Sequence, residues 1–411
     1  MNYELFVAKR IISGKEHKSS ISSPIIKIAI AAISLGVIIM LIAIATGEGL
    51  REKIRSKMSG FKGHIQITKY DANNSDVSVM PISKNQKFYP TFSNIKGIKN
   101  VQVYANQVGL IRTKTDFEGI VFKGVSTDYD WTFFKEYLIE GRIPDFNQKR
   151  TRDVLLSKTI INRLQLQLND TINVTFFKNK ASKLPSNRKL VITGIYNTGF
   201  LEFDKNIMIG DIRQVQRLNR WNENEVGGFE VILENFDELQ QKGTEIYKEI
   251  DATLDATTIA SNYPGLFEWI ELFDNNTWFI IIIMILVAGI NMITALLVLI
   301  LERIPMVGIL KAMGSSNWSI RKIFLYNASY LIFVGLFWGN LIGLLLLFLQ
   351  KYGRFITLDP ATYYVSEVPI SIDFLTIVFV NIGTLVLCFL MLIIPSVIIT
   401  KIQPSKSIRF A

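Results

Sequence analysis

The sequence predicts a membrane protein: four transmembrane α-helices, with a large α+β domain inserted between the first and the second. Three observations carry this. Hydrophobic residues make up 49% of the chain and mean hydropathy is +0.28, too apolar for an ordinary soluble domain. Four windows, about Ile28–Thr46, Trp278–Leu301, Phe324–Leu349 and Phe374–Thr400, are long enough to cross a bilayer and contain no Asp, Glu, Lys or Arg. Residues 47–277, between the first two windows, are mostly polar and long enough for a domain with its own core.

The net charge of +10 invites a nucleic-acid reading, and the location of the charges removes it. Lys9, Arg10, Lys15, Lys18 and Lys27 precede the first window. Arg303, Lys311, Arg321 and Lys322 lie between the second and third, and Lys401, Lys406 and Arg409 follow the fourth. Nearly all the excess sits in these short flanks, which is the positive-inside bias. It places both termini and the 302–322 link in the cytoplasm and the large insert on the far side. The expected organisation is a cytoplasmic amphipathic segment 1–27, a first span and stalk 28–62, the outer domain 63–264, and a stalk and second span 265–301. A cytoplasmic helix and link 302–322, a span 323–349, an outer loop 350–373, a span 374–400 and a cytoplasmic tail 401–411 complete it. A signal peptide is the alternative reading of the first span, since Ala43-Ile44-Ala45 resembles a cleavage site. The long basic leader and the length of the apolar run argue against it.

In chain order, Leu5, Phe6, Ala8 and Ile12 suggest a short amphipathic helix on the inner leaflet, either a brace or a topogenic anchor. Beyond the first window, Leu50, Ile54, Met58 and Phe61 keep a helical stripe while the other faces become charged, so the span continues as a stalk. Leu266, Trp269, Ile270 and Phe273 form a matching stripe ahead of the second window. Within the insert, strands are expected at His64–Thr68, Val101–Arg112, Gly119–Val125, Asp153–Leu156, Thr171–Phe177, Lys189–Tyr196 and Gly228–Leu233. Helices are expected at Lys158–Leu168, Asp211–Asn219 and Asp237–Leu254. The polar, basic stretch 176–190 reads as a projecting hairpin or a plain solvated loop. In the third window Gly335, Gly339 and Gly343 form a small-residue ridge suited to close helix packing.

The link carries the most informative local pattern. Met306, Ile309, Leu310 and Met313 fall on one helical face, Pro305 suits a first helical position, and Gly314 suits a left-handed stop. A short capped helix between two spans suits either docking to another protein or lying in the headgroups. No nucleotide-binding glycine loop, metalloprotease motif or nucleophile elbow occurs. The spans lack the ionisable residues of ion-coupled carriers. One cysteine, Cys388, and two histidines, His17 and His64, expected on opposite sides of the membrane, build no zinc site or Cys–His pair. The chain is therefore expected to be no enzyme and to bind no cofactor. Any energy enters from another subunit, and the capped helix is the evident port.

The order of elements, with ERIPMVGILKAMGSSNWSIRKIF after the second span, resembles the mechanotransmitting permeases of ABC transporters. Segments 23–54, 164–176, 185–200 and 358–370, with KIQPSKSIRF at 401–410, are most similar to the lipoprotein-releasing branch. Ser407-Ile408 stands where that branch has Ala-Leu. The resemblance implies the MacB-like, type VII architecture in the bacterial inner membrane, with a periplasmic outer domain. It implies two copies of an ATPase that hold ATP and Mg, a second permease chain (identical or a paralogue), membrane lipids around the spans, and a lipoprotein substrate extracted for outer-membrane sorting. Glu302, Arg303, Met306, Val307, Leu310 and Lys311 would form the ATPase-docking surface. Met40, Leu41, Ile44, Leu50 and Ile54, facing Phe273, Trp278, Phe279 and Ile282, would line a cleft for acyl chains. Lys183, Leu184 and Pro185, in a hairpin shorter than the family's, would meet a periplasmic lipoprotein chaperone. An exporter of periplasmic peptides or antibiotics and a signalling permease that activates a cell-wall hydrolase share the architecture and stay open at this point.

Overall fold

The computed structural model describes residues 3–13, 22–70, 77–78, 80–147, 150–177 and 185–401. The chain divides into two compact units. One comprises Met1–Arg51, Trp269–Thr357 and Val368–Ala411; the other comprises Glu52–Glu268 and Leu358–Glu367.

Among the described residues four helices are long and apolar enough to cross a membrane: the first (Ser22–Lys62), second (Pro264–Glu302), third (Asn317–Gly353) and fourth (Phe374–Ser396). The first and second are unbroken through the predicted stalk stripes. The fourth ends four residues before the predicted Thr400, just past Pro395, whose ring removes a backbone donor; a separate turn, Ile398–Lys401, follows. In the membrane unit the glycine ridge of the third helix lies on the first. A Cβ at Gly335, Gly339 or Gly343 would stand 2.8, 2.8 or 3.1 Å from Ile33, Val37 or Leu41. Ser34 Oγ donates to the Gly335 carbonyl at 2.9 Å. Asn340 and Asn381 exchange amide hydrogen bonds of 2.6 and 2.9 Å between the third and fourth helices. The small residues thus remove side-chain bulk where two backbones approach, and the amides satisfy each other.

This packing is testable. Gly339→Leu must part the first and third helices and costs about 1–3 kcal/mol, as overpacking does. Gly383→Leu is the control, because a Cβ there meets nothing within 4 Å. Thermal unfolding of the two purified variants in detergent checks the prediction; equal melting temperatures contradict it.

The expected N-terminal helix is present at Tyr3–Ser13, with Ala8 buried and Leu5 and Phe6 exposed. Ser319 Oγ of the third helix donates to Glu4 Oε1 at 3.0 Å.

Among the described residues the outer unit is built on twelve strands: β1 (Ile65–Lys69), β2 (Ile82–Ser83), β3 (Ile98–Arg112), β4 (Phe117–Val125), β5 (Leu138–Gly141), β6 (Asp153–Ser157), β7 (Thr171–Phe176), β8 (Ser186–Tyr196), β9 (Ile207–Asp211), β10 (Glu225–Val226), β11 (Gly228–Leu233) and β12 (Leu254–Thr258). Ten form one sheet in the order β12-β1-β11-β3-β4-β9-β6-β8-β5. β7 pairs with both β3 and β8, so β3, β4, β9, β6, β8 and β7 close into a ring. The rings of Phe122 and Phe176 meet edge to face at 5.6 Å, and both side chains are fully buried.

All seven predicted strands are present, with ends displaced by at most three residues. Three helix readings change. Lys158–Leu168 stops at Leu164, because Gln165 turns left-handed. The helix after Asp211 starts at Ile212, with Asp211 as its cap. Asp237–Leu254 becomes a 3-10 turn and a helix Leu239–Glu249; the Asp251 carboxylate then accepts from Thr253 N, and Leu254–Thr258 pairs with β1. The unit boundaries also differ from the predicted 63–264. Residues 52–62 pack with the outer unit, as does Leu358–Glu367 of the last outer loop. Lys57 Nζ donates to the Tyr364 carbonyl at 3.0 Å, and Tyr364 stacks on Phe200 at 5.0 Å.

Candidate coupling and substrate surfaces

The linking helix spans Ile304–Ala312, divided from the second membrane helix by Arg303 alone. Pro305 lies in its first turn and Gly314 has φ +89°, the left-handed stop expected of it. Its two sides differ sharply. Val307 is fully buried, and Met306 and Leu310 pack partly into the membrane core. Lys311 Nζ donates to the Ile399 carbonyl at 2.8 Å and the Thr400 carbonyl at 3.4 Å, within the helical turn Ile398–Lys401. The opposite side presents Pro305, Ile309 and Met313, four residues apart; Ile309 is 53% and Met313 78% exposed.

The predicted docking set is corrected accordingly. Val307 is covered by the membrane core, and the Lys311 ammonium is engaged within the chain. Met306 and Leu310 are half-covered and Glu302 is exposed. The available apolar face is Pro305, Ile309 and Met313, one helical step from the residues first assigned.

The predicted acyl-chain cleft is likewise not one open surface. Met40, Leu41 and Leu50 are buried; Leu41 packs against Gly343 of the third helix. Ile54 is fully buried in the outer unit, and Ile44 and Phe273 are half-buried. Trp278, Phe279 and Ile282 are exposed along one stretch of the second helix. Leu41 thus belongs to the interior because the third helix covers it, and Ile54 because the outer unit does. The exposed part of the set lies on the second helix.

The hairpin exists: Phe176 of β7 faces Ser186 of β8. Lys183 and Leu184 lie outside the described residues; Pro185 is exposed at the foot of β8.

A site the sequence reading passed over joins the end of the first membrane helix to the sheet. Lys123 of β4 and Glu230 of β11 form an ion pair with Nζ 2.7 Å from Oε1 and 2.8 Å from Oε2; their side chains are 3% and 1% exposed. Lys123 Nζ also donates to the Phe61 carbonyl in the helix's last turn, and Gln102 Nε2 donates to Glu230 Oε2 at 2.9 Å. Burial pulls the Lys123 pKa down while Glu230 opposes the shift. The Phe61 ring packs against Phe134, Phe203 and Tyr196, and Tyr129 Oη donates to the Gly60 carbonyl at 3.2 Å. The helix end is therefore held by charge, by hydrogen bonds and by aromatic packing together. The available signal was a charge inside an apolar run in each of two strands, Lys123 in the IVFKGV part of β4 and Glu230 in GFEVIL.

Among the described residues no cluster of His, Cys, Asp and Glu could hold a metal ion, and Cys388 is buried and unpaired with another cysteine.

Residues 28–246 match the family described as MacB-like periplasmic core domain, and residues 278–404 match the FtsX-like permease C-terminal family. Among curated relatives, the lipoprotein-releasing system transmembrane protein LolC of Neisseria meningitidis serogroup B is 21% identical, over 99% of this chain and 99% of its own. The protein of the same name from Buchnera aphidicola subsp. Schizaphis graminum is 22% identical over 93% and 92%. The lipoprotein-releasing system transmembrane protein LolE of Haemophilus influenzae is 18% identical over 99% of both chains. Of solved structures, the periplasmic region of MacB from Actinobacillus actinomycetemcomitans is similar at 14% identity and a TM-score of 0.36, covering 53% of this chain and 97% of that one.

Proposed function

Because this chain belongs to the permeases that combine a MacB-like periplasmic core domain with an FtsX-like C-terminal region, and is LolC/LolE-like along its length, we propose that it extracts lipoproteins from the outer leaflet of the inner membrane for sorting to the outer membrane. ATP hydrolysis in a separate ABC ATPase drives the extraction. The observation that carries this reading is the likeness to lipoprotein-releasing permeases over 99% of both chains, which takes in the spans and the inserted domain alike. Two features support the division of labour. The chain has no nucleotide-binding motif, and its linking helix offers an apolar face at Pro305, Ile309 and Met313. ATP binding closes two partner subunits, the linking helices follow them, and the unbroken first and second helices carry the motion toward the periplasm.

In this reading two permease chains, identical or paralogous, enclose the substrate. The exposed Trp278, Phe279 and Ile282 supply apolar surface for its acyl chains. Each methylene withdrawn from water contributes about 0.8 kcal/mol, so a multi-acyl anchor requires a dry wall of this kind. A soluble chaperone then receives the lipoprotein near the 176–190 hairpin. Both termini are cytoplasmic.

Depletion of the protein, followed by separation of the two membranes, tests the function. Lipoproteins should accumulate in the inner membrane, and unchanged sorting refutes the reading. Orientation has its own test: Pro185→Cys in a Cys388→Ser background should react with a membrane-impermeant maleimide from the periplasmic side only. Labelling from the cytoplasm would reverse the topology.

A further inference from the structure

The outer unit carries a second site, away from the helix joint. The helix Ile212–Asn219 buries Ile212, Val215 and Leu218 and turns Arg213 and Arg217, one turn apart, to its other side. Arg220 follows in a left-handed conformation, φ 58°, uncommon for a residue with a side chain, and the next residue is Trp221. Arg150, from the loop before β6, joins them. Together with Glu223 these side chains surround an open concavity of about 710 Å³.

Arg213 is held by Asp211 at 2.8 Å, but Arg150, Arg217 and Arg220 have no ion-pair partner among the described residues. Arg188 of β8 lies close enough that, after its own burial, the charges of Arg217 and Arg150 press its pKa down. Four arginines, Arg150, Arg213, Arg217 and Arg220, thus line the concavity against the carboxylate of Glu223. A narrower recess of about 190 Å³ shares Arg213, Gln216 and Glu223 with the concavity and adds Lys84, Ser126, Thr127 and the Asp211 carboxylate, which Arg213 neutralises. The simplest ordinary use of Arg217, complementing the helix C-terminus, accounts for neither Arg150 nor Arg188. Arg150 arrives from a loop to line the hollow beside the helix's arginines, and Arg188, on a strand, lies near enough to feel their charge.

We propose that this hollow binds a small polyanion carrying at least two phosphate groups, either free or as the headgroup of a lipid. Guanidinium groups present planar, paired donors that match phosphate oxygens two at a time. The recess supplies a lysine and two hydroxyls for a second phosphate, and Trp221 forms a wall against which a sugar or glycerol backbone rests. A hollow suits a compact ligand better than it suits the flat face of an acidic protein. The site does not depend on which cargo the permease moves.

The test uses the full-length protein in neutral detergent, titrated calorimetrically with inorganic tripolyphosphate and with detergent-dispersed cardiolipin, whose headgroup carries two phosphates; phosphatidylcholine is the blank. Wild-type protein should bind tripolyphosphate, and the double variant Arg217→Glu/Arg220→Glu should bind at least about tenfold more weakly, as loss of charged hydrogen bonds implies. Arg150→Glu, on a different element, should weaken binding in the same direction. Lys158→Glu/Lys205→Glu, exposed elsewhere on the unit, should leave affinity unchanged. Competition by cardiolipin identifies a lipid source, and tripolyphosphate binding without it identifies a soluble one; both support the site. Equal affinity in the arginine variants and the lysine control overturns it. So does a wild-type protein that ignores both phosphate probes but binds an oligoglutamate peptide, which would make the hollow a docking point for acidic protein.

Discussion

Glu230→Gln should destabilise the outer domain by about 3–5 kcal/mol, the range expected when one partner of a buried ion pair is removed. The Lys123 ammonium would keep its burial and its bond to the Phe61 carbonyl but lose the carboxylate charge that balances it. The loss should depend on pH in a defined direction. Lys123 already has a lowered pKa in the folded protein, and without Glu230 it falls further. The unfolded chain then binds the proton more tightly than the folded one, so stability rises with pH between the lowered folded pKa and the unfolded value of about 10.4. The defect of Glu230→Gln should therefore shrink as the pH is raised toward that unfolded value. Lys123→Met/Glu230→Met should recover part of the loss, since apolar side chains of similar volume replace buried pairs at little cost. Recovery stays partial because Gln102 and the Phe61 carbonyl lose their partners. Thermal unfolding of the purified chain gives the size of the effect, and hydrogen exchange at β3, β4 and β11 gives its place. A variant with unchanged melting and unchanged protection there refutes the joint.

What the sequence made legible follows from what each element must satisfy by itself. A bilayer admits only long uncharged helices, so the four spans stand out as runs without a single Asp, Glu, Lys or Arg. The linking helix was readable because its stops are local chemistry, Pro305 at the start and Gly314 at φ +89°. β3 and β8 were readable because they are long and rich in strand-forming residues. β9 was missed: Ile207–Asp211 is buried throughout, so it has no polar face to mark a period of two. β12 was absorbed into a helix because its strand character comes from pairing with β1, a partner far away in sequence. The same limit governs the sites. A helical stripe names the apolar residues and leaves open which neighbour will cover them. Met40 and Leu41, expected in a cleft, are buried in the membrane core, Leu41 against Gly343 of the third helix. Arg150, Arg188, Arg217 and Arg220 meet only after the sheet has closed.

The linking helix turns that limit into a test, because neighbouring residues on it should fail in different ways. Ile309→Asp/Met313→Asp alters the exposed face alone. The permease should be made, inserted and purified at normal yield, yet its ATPase should be missing from the preparation and lipoproteins should stay in the inner membrane. Burying side chains of this size contributes about 1.5–3 kcal/mol each. Removing two and presenting two carboxylates in their place therefore weakens association by about two orders of magnitude or more. Leu310→Asp sends its charge toward the membrane core, against which Leu310 already packs, so it should reduce yield and thermal stability first. Val307→Asp, at a fully buried position, should scarcely accumulate. Lys311→Met separates the two kinds of failure. It frees the carbonyls of Ile399 and Thr400 without changing the exposed face, so the melting temperature should fall while ATPase capture per folded molecule is kept. If Ile309→Asp/Met313→Asp retains its ATPase in full, the exposed face rests among lipid headgroups and the energy enters elsewhere. If Leu310→Asp alone loses the ATPase while remaining well folded, the partner binds the side of the helix that is here turned inward, and the helix must rotate on docking.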